Sequence, residues 1–550
     1  MKRTVVTALL VLVMAAAWAQ LTPELIQKLD NSAGQYLPVI VAMKERFDVA
    51  DIVKSFDLKG DDEAVKAQAI VILKNKAEAS HLWLNKLVAK HGDQAKEFKS
   101  FWITNMVAVK ATPVVIREIA AQPDVQAIFL DEEQNFIDYK PGVAQRDAWG
   151  LGKIGSKTVN EKYRGKGILV AVIDTGVNYN HNDLKGRVLK GKDCYSNDMD
   201  PIDDNGHGSH CAGSIGGTTY GVAPEVTILA VKVLSGGGSG SWQNVADGVQ
   251  YVADYNVNGK RVDIASMSLG GRPPIQAVLK TAFDNALKLG VRFAIAAGNS
   301  GPNAKTIGTP GDIKEVVTVG ATDINDAIAS FSSRGPVDAN GTSYIKPDIS
   351  APGVNITSCW KDGADASNTI SGTSMATPHV AGLMALVLEA KPGLTLAEIK
   401  KVLEDTALDL GAAGRDNVFG SGRVRAVEAV QTVAMDLSRI EITKEIDFPI
   451  AADGTINTTL SIDNPMWQMK VKAEVTILNP DGTYDVAFTF RKAGKPDQTG
   501  EVKGLASNKP YLLPQVFIAY SDTNQVILVG KYTGSSTATQ GKARVKVKTV

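Results

Sequence analysis

The stretch GILVAVIDT, residues 167–175, decides the fold. Ile168 to Ile173 run without a polar residue and end on Asp174, the pattern of a strand buried on both faces. VTILAVKVL (226–234), DIASMSLGG (263–271), VRFAIAAGN (291–299) and VVTVGAT (316–322) repeat it, with small or polar residues at the end of each run or just after it. SWQNVADGVQYVADYN (241–256) and PIQAVLKTAFDNALKLG (274–290) lie between them with helical spacing. Strands alternating with helices predict an α/β domain, a doubly wound and mostly parallel sheet covered by helices. Such sheets carry their chemistry beyond the carboxyl ends of the strands. Asp174 and Asn299 both fall at strand ends of that kind.

Moving outward, the 550 residues are too many for one core, so several domains are expected. MKRTVVTALLVLVMAAAWAQ opens with Lys2 and Arg3, continues apolar and reaches Ala17-Trp18-Ala19, so residues 1–19 read as a secretory signal cut after Ala19. Residues 20–139 read as an α+β unit, with strand-like YLPVIVAM (36–43) and FWITNMVAVKA (101–111) and a long helical pattern over 62–92. From 135 to 155 periodicity is lost and glycine rises, which predicts a linker. The α/β domain spans 140–435. Residues 436–550 alternate polar and apolar positions between turn pairs, as expected of an antiparallel β domain, a sandwich, whose role the residues do not indicate.

Composition narrows the class further. Fifty-nine basic residues balance fifty-nine acidic ones, so no overall charge points to nucleic acid or an anionic membrane. After residue 19 no stretch is long and apolar enough for a bilayer, so the mature form is expected to have no transmembrane segment. Three cysteines, Cys194, Cys211 and Cys359, allow one disulfide and leave at least one thiol free.

Three motifs can carry chemistry. VIDTGV (172–177) contributes Asp174, DDNGHGSHCAG (203–213) places His207 at a helix start, and SGTSMATPHVAG (371–382) opens a helix at Ser374. Taken singly, these are a turn residue, a packed histidine and a helix cap. Together at functional edges they supply an orienting carboxylate, a general base and a hydroxyl nucleophile. The chain order Asp, His, Ser argues against an α/β-hydrolase lipase or esterase, which runs Ser, Asp, His. A non-catalytic binding protein on the same scaffold is the other alternative, although no member of the triad is missing.

VAVIDTGV (170–177), NGHGSHCAG (205–213), SLGG (268–271), AAGNSG (296–301) and SGTSMATPHVAG together resemble the subtilisin-type serine proteases, the subtilases of peptidase family S8, over about 145–435. HGSHCAG and YGVAPEVTILAVKVL (220–234) are similar to the proteinase K branch, whereas FSSRGP (331–336) and KPDISAPG (346–353) are commoner elsewhere in the family. The resemblance implies a subtilisin-like fold and a serine endopeptidase acting through an acyl-enzyme. In it Ser374 is the nucleophile, His207 the base and Asp174 its orienting partner. The oxyanion hole is the Asn299 amide with the Ser374 backbone N–H. The substrate edges are Gly238, Ser239 and Gly240 on one side and Ser268, Leu269 and Gly270 on the other, with Ala297 and Gly298. Broad specificity with some apolar preference is the expectation, the partners being protein or peptide substrates.

The N-terminal unit resembles an inhibitor I9-type propeptide, ferredoxin-like in fold, through YLPVIVAMKE (36–45) and VQAIFLDEEQ (125–134). That likeness implies an intramolecular chaperone and inhibitor removed by self-cleavage near Tyr139–Lys140; a permanent partner-binding domain is the alternative. A secreted monomer is expected. Cys211 is expected to pack as a small hydrophobe near His207, open to mercurials, and His210 and His379 to be structural. No cofactor is needed for the chemistry. The acidic loop KDCYSNDMDPIDDNGHG (192–208) offers Asp193, Asp198, Asp200 and Asp203 as candidate Ca²⁺ ligands, and a merely solvated loop fits it equally.

Overall fold

The computed structural model describes residues 21–434 apart from 33, 56–62, 144–147, 272–275 and 340. It also describes 441–549 apart from 454, 465–468, 480–482, 492–497, 508–510, 513–516, 520–521 and 533–539. The expected signal and its cut after Ala19 lie outside the described residues. The chain forms two compact units, 1–429 and 430–550, dividing a few residues ahead of the boundary read from the sequence.

In the first unit the N-terminal elements are α1 (Pro23–Asn31), β1 (Leu37–Met43), α2 (Val49–Ser55), α3 (Glu63–His91), β2 (Ala95–Phe101), β3 (Met106–Ala111), α4 (Pro113–Ala120) and β4 (Val125–Leu130). The antiparallel sheet order β2-β3-β1-β4, with α3 and α4 as crossovers, is ferredoxin-like. Its strands alternate between two cores. Val39 and Val41 of β1 face Leu25, Ile116 and Ile119 of the unit's own helices. Ile40 faces the other way, into a core shared with Val245, Val249 and Phe283.

That shared core belongs to the α/β layer. Its elements are β5 (Leu169–Asp174), β6 (Val188–Asp193), α5 (His207–Gly216), β7 (Thr227–Lys232), α6 (Trp242–Asp254), β8 (Ile264–Met267), α7 (Gln276–Lys288), β9 (Arg292–Ala296), β10 (Val317–Thr322), β11 (Ile349–Pro352) and α8 (Thr373–Ala390). The seven strands are parallel in the order β11-β10-β9-β8-β5-β7-β6. The chain therefore reverses its direction of travel across the sheet beside β5, and the crevice beyond β5 is where such folds bind ligands. Every residue of β5 is buried, as its unbroken apolar run requires. Helix α8 is buried from Thr373 to Leu388.

The expected linker is a correction. Gln134–Asn135 and Lys140–Pro141 are short strands paired with the α/β layer, and Trp149–Ile154 is helical. Backbone pairing of two residues at a time leaves no periodicity for a sequence to show. In the second unit, Glu441–Pro449, Gln540–Thr549, Met469–Asn479 and Tyr511–Leu512 form one antiparallel sheet, with Phe517–Ala519 also on Met469–Asn479. Thr455–Asn464, Asp522–Tyr532, Thr483–Arg491 and Gln498–Ala506 form a second.

His81 of α3 is buried beneath the N-terminal sheet, its Nδ1 2.8 Å from Ser100 Oγ. Burial pushes its imidazole down from 6.5 to about 4. The unfolded segment therefore takes up a proton that the folded one refuses, and folding loses stability as pH falls from 6.5 towards 4. Hydrogen exchange on the whole chain should show β1 to β4 losing protection across that window. His81→Gln, which cannot titrate, should flatten the loss; an equal loss in both would assign it to other groups.

Candidate active site

The end of β5 and the start of α5 bring two predicted residues into contact. His207 is the first residue of α5, and its Nδ1 lies 2.7 Å from Asp174 Oδ1, with both side chains fully buried. A carboxylate facing Nδ1 fixes the ring proton there and leaves Nε2 as the base. Nε2 has no hydrogen-bond partner. Asp174 Oδ1 also accepts from the Thr175 N–H at 2.7 Å, which holds the carboxylate in place. Gly208 permits the close approach of α5, because a Cβ there would stand 2.0 Å from the Gly176 carbonyl oxygen and 3.2 Å from the Asp174 Cβ.

Asp203 braces the same corner. It is buried and accepts from Thr175 Oγ1 and the Asn205 and Gly206 N–H groups at 2.9 Å, and from Ser209 N and Oγ at 2.8 and 2.6 Å. Burial raises its carboxyl while these bonds pull it back. Lys232, at the end of β7, is buried and donates to the Thr175 and Leu234 carbonyls and to Asp204.

Ser374 is the second residue of α8, and its Oγ donates to the Ser268 carbonyl at 3.0 Å. Pro378 has no N–H to return to the Ser374 carbonyl one turn back. That carbonyl instead accepts from Ser268 Oγ at 2.8 Å and Cys211 Sγ at 3.5 Å. Asn299 Oδ1 accepts from Thr373 N and Oγ1 at 2.9 and 3.0 Å, which orients its amide. Its Nδ2 donates to the Asp138 carbonyl.

The chain itself therefore lies in the cleft. Gln134–Asn135 pair antiparallel with Ser239–Gly240, Phe136 N donates to the Gly238 carbonyl at 3.1 Å, and Gly270 N donates to the Phe136 carbonyl at 2.9 Å. Beyond Asp138, Lys140–Pro141 pair with Ile370–Ser371. The Tyr139 ring stacks on His207 with centroids 5.6 Å apart. A cavity of about 650 Å³ beside this segment is lined by Asp138, Leu269, Gly298, Asn299, Gly308 and Ser374. The predicted edge residues thus converge, except Ala297. It is buried, with its N–H on Val319 and its carbonyl on Gly308, so it serves the scaffold.

Other expectations divide. Cys194, Cys211 and Cys359 are all free and buried, so the possible disulfide does not form. His210 and His379 are buried and bonded to the Ile356 and Met375 carbonyls. The four candidate calcium ligands do not fit a shared site. Asp193 Oδ1 accepts from the Tyr195 and Ser196 N–H groups, Asp198 Oδ1 from the Asp200 N–H, Asp200 Oδ1 from Tyr179 and Lys190, and Asp203 is saturated as above. Among the described residues the one cluster of metal-ligating side chains is Asp174, His207 and Cys211. The sequence reading missed Asp138 as the residue on the Asn299 amide, Thr373 as its orienter, and Trp360, against which Tyr139 packs. The loss of periodicity after 134 was the one available signal for the first.

The N-terminal domain is anchored by more than this segment. Asn285 of α7 accepts from Val49 N at 3.0 Å and donates to the Phe47 and Ile103 carbonyls at 2.8 Å, all buried. Asp131, following β4, accepts from Trp242 N at 2.8 Å and Gln243 N at 3.2 Å and so caps α6. Burial raises its carboxyl to about 6.

A doubly wound sheet with an aspartate, a histidine and a serine gathered at its carboxyl edge, and a peptide strand clasped across them, defines a class, the α/β serine hydrolases that act on polypeptide. The comparisons with known proteins make it specific. The subtilase family, peptidase S8, matches residues 165–422. Serine protease AprX of Bacillus subtilis (strain 168) is 41% identical over 301 residues, covering 48% of this chain and 66% of that one. Subtilisin-like protease 2 of Pseudogymnoascus destructans is 42% identical over 281 residues, covering 50% of this chain and 66% of that one. A solved cold-adapted subtilisin-like serine proteinase is 38% identical, covering 51% of this chain and 97% of that one, with a TM-score of 0.43. Residues 165–422 are a subtilase-family domain, and the chain spans 66% of the length of these two relatives.

Asn285→Leu would strand two buried carbonyls and one N–H of the N-terminal domain. Unpaired buried groups cost about 1–3 kcal/mol each. The transition in which the N-terminal domain leaves α6 and α7, followed by denaturant titration of the whole chain, should weaken by about 3 kcal/mol or more, three groups each at the low end of that cost. A shift under about 0.5 kcal/mol, as at an ordinary surface position, would show that Asn285 is not an anchor.

Proposed function

We propose that this chain is the precursor of a secreted serine endopeptidase of broad specificity, in which the N-terminal domain assists folding, fills the cleft and is removed by cleavage at Asp138–Tyr139. The observation that carries the reading is the Asp138 carbonyl held by the Asn299 amide beside Ser374. The cut proposed here lies one bond upstream of Tyr139–Lys140, near which it was expected. Broad specificity is supported by a clasp made through backbone groups of Gly238, Ser239, Gly240 and Gly270. The export reading rests on residues 1–19, and no helix among the described residues is long and apolar enough to cross a membrane. The folding-chaperone role rests on the core that both domains share.

In the reaction Ser374 Oγ turns from the Ser268 carbonyl to His207 Nε2, gives up its proton and attacks the Asp138 carbonyl carbon. Asp174 stabilises the imidazolium. The oxyanion is held by Asn299 Nδ2 and the Ser374 backbone N–H, which a helix start leaves without an intrahelical partner. His207 then protonates the Tyr139 nitrogen as the C–N bond breaks. Water, deprotonated by the same base, releases Asp138 from the acyl-enzyme.

Wild type should yield a protein whose N-terminal sequence begins at Tyr139, while Ser374→Ala stays joined to its N-terminal domain. Identical cutting of both, or of neither, would overturn self-processing. On a peptide substrate Asn299→Leu should lower kcat by roughly 10²–10³, the loss known for one such donor in a subtilisin. Unchanged kcat would remove Asn299 from the oxyanion hole.

A further inference from the structure

The residue after the presented bond sits in a formed aromatic site. Tyr139 lies with its ring 5.6 Å from that of His207 at an interplanar angle of 27°, and 6.3 Å from that of Trp360 at 80°. Trp360 is itself set in place. Gly206 is its floor, since a Cβ there would stand 2.4 Å from the indole, and His210 meets it edge-on at 6.3 Å. The Trp360 backbone N–H donates to the Ala366 carbonyl at 2.8 Å, which fixes the main chain that carries the ring. Lys140–Pro141, paired with Ile370–Ser371, hold the chain on the leaving side in line with the site. Elsewhere in the segment the Asp138 side chain is exposed, Asn135 is held through its backbone, and Phe136 is buried edge-on against Trp242 with centroids 4.7 Å apart.

We infer that Trp360 and His207 form a specificity clamp for the residue on the leaving side of the scissile bond, and that within an otherwise broad specificity it favours substrates with an aromatic side chain there. The inference rests on the proposed cleavage at Asp138–Tyr139 and names the substrate class for that site. The ring geometries match the offset and edge-to-face arrangements that aromatic pairs prefer. Asp203, whose negative charge acts on the Tyr139 phenol, disfavours an acidic side chain at the same position.

The test uses the processed enzyme and quenched fluorescent peptides carrying Asn-Phe-Ile-Asp-X-Lys-Pro-Gly, with X as Tyr, Phe, Ala or Glu. Wild type should cleave the Tyr and Phe peptides about 2- to 12-fold better than Ala in kcat/KM, the range an aromatic pair contributes, with Glu the poorest. Trp360→Ala should bring the Tyr-to-Ala ratio close to one, and Trp360→Phe should keep part of it. Acyl transfer in wild type needs no variant: with the p-nitroanilide of Asn-Phe-Ile-Asp as donor, tyrosine amide should capture the acyl-enzyme better than alanine amide. Hydrolysis of that anilide with no preference for Tyr, or a ratio that Trp360→Ala leaves untouched, would overturn the clamp alone. No hydrolysis of any of these substrates would overturn the proposed function and the clamp with it.

Discussion

Everything at this site depends on burying helix α8 over its length, from Thr373 to Leu388. A helix so placed has no water to satisfy its ends, so its first turn must meet partners that the sheet edge supplies. Thr373 meets Asn299, the Ser374 carbonyl meets Ser268 and Cys211, and Ser374 Oγ meets the Ser268 carbonyl. Pro378 removes the N–H that would have closed the first turn onto the Ser374 carbonyl. That frees the carbonyl for Ser268 and Cys211. The loops after β8 and β9 are thereby tied to the helix start, and Ser374, Asn299 and Ser268 become parts of a single network.

The other half of the site hangs from β5. Asp174 ends a strand with no exposed residue, and the loop to α5 folds back over it through Asp203, Thr175 and Gly208. The buried imidazole of His207 keeps one nitrogen on Asp174 and the other unpaired. A buried nitrogen without a partner costs free energy, and in the proposed reaction this is the atom that receives the serine proton. Ser374 Oγ is turned to the Ser268 carbonyl and Tyr139 is stacked over His207, so the serine hydroxyl and the imidazole are not hydrogen-bonded to each other.

Much of this was legible in the sequence, and the exceptions have physical causes. Runs such as VTILAVKVL and VRFAIAAGN announce strands buried on both faces, and five of the seven parallel strands follow from them. β6, VLKGKD, was missed because an edge strand is half solvated and need not be apolar. β11, ISAP, was missed because four residues ending in proline carry too little pattern. Asp174, His207, Ser374 and Asn299 were readable because each ends or begins an element at the reactive edge. The segment 134–141 was read as a linker because it is held by its partners' backbone and owes nothing to its own periodicity. The acidic loop suggested calcium by composition alone; only geometry shows Asp193, Asp198, Asp200 and Asp203 occupied by neighbouring N–H and hydroxyl groups.

The N-terminal domain poses a problem of strength against removability. Two of its surface ion pairs with the α/β layer, Lys74–Asp254 and Asp48–Lys288, are half exposed and each contribute at most about 1 kcal/mol. The shared apolar core, in which Ile40, Phe101 and Trp102 face Val245, Val249 and Phe283, is the dominant attraction. Apolar contact is not directional, so it does not set register. Register comes from Asn285, whose amide reads two carbonyls and one N–H on the other side, and from Asp131 at the start of α6. Those polar contacts place the Asp138 carbonyl on the Asn299 amide, while residues 139–141 continue out along Ile370–Ser371. In the proposed processing, cutting the bond at Asp138 would leave the core and the register contacts intact and remove only the covalent tether between them. Occupancy of the cleft is therefore set by the interface, and the chemistry decides only whether that occupant can leave.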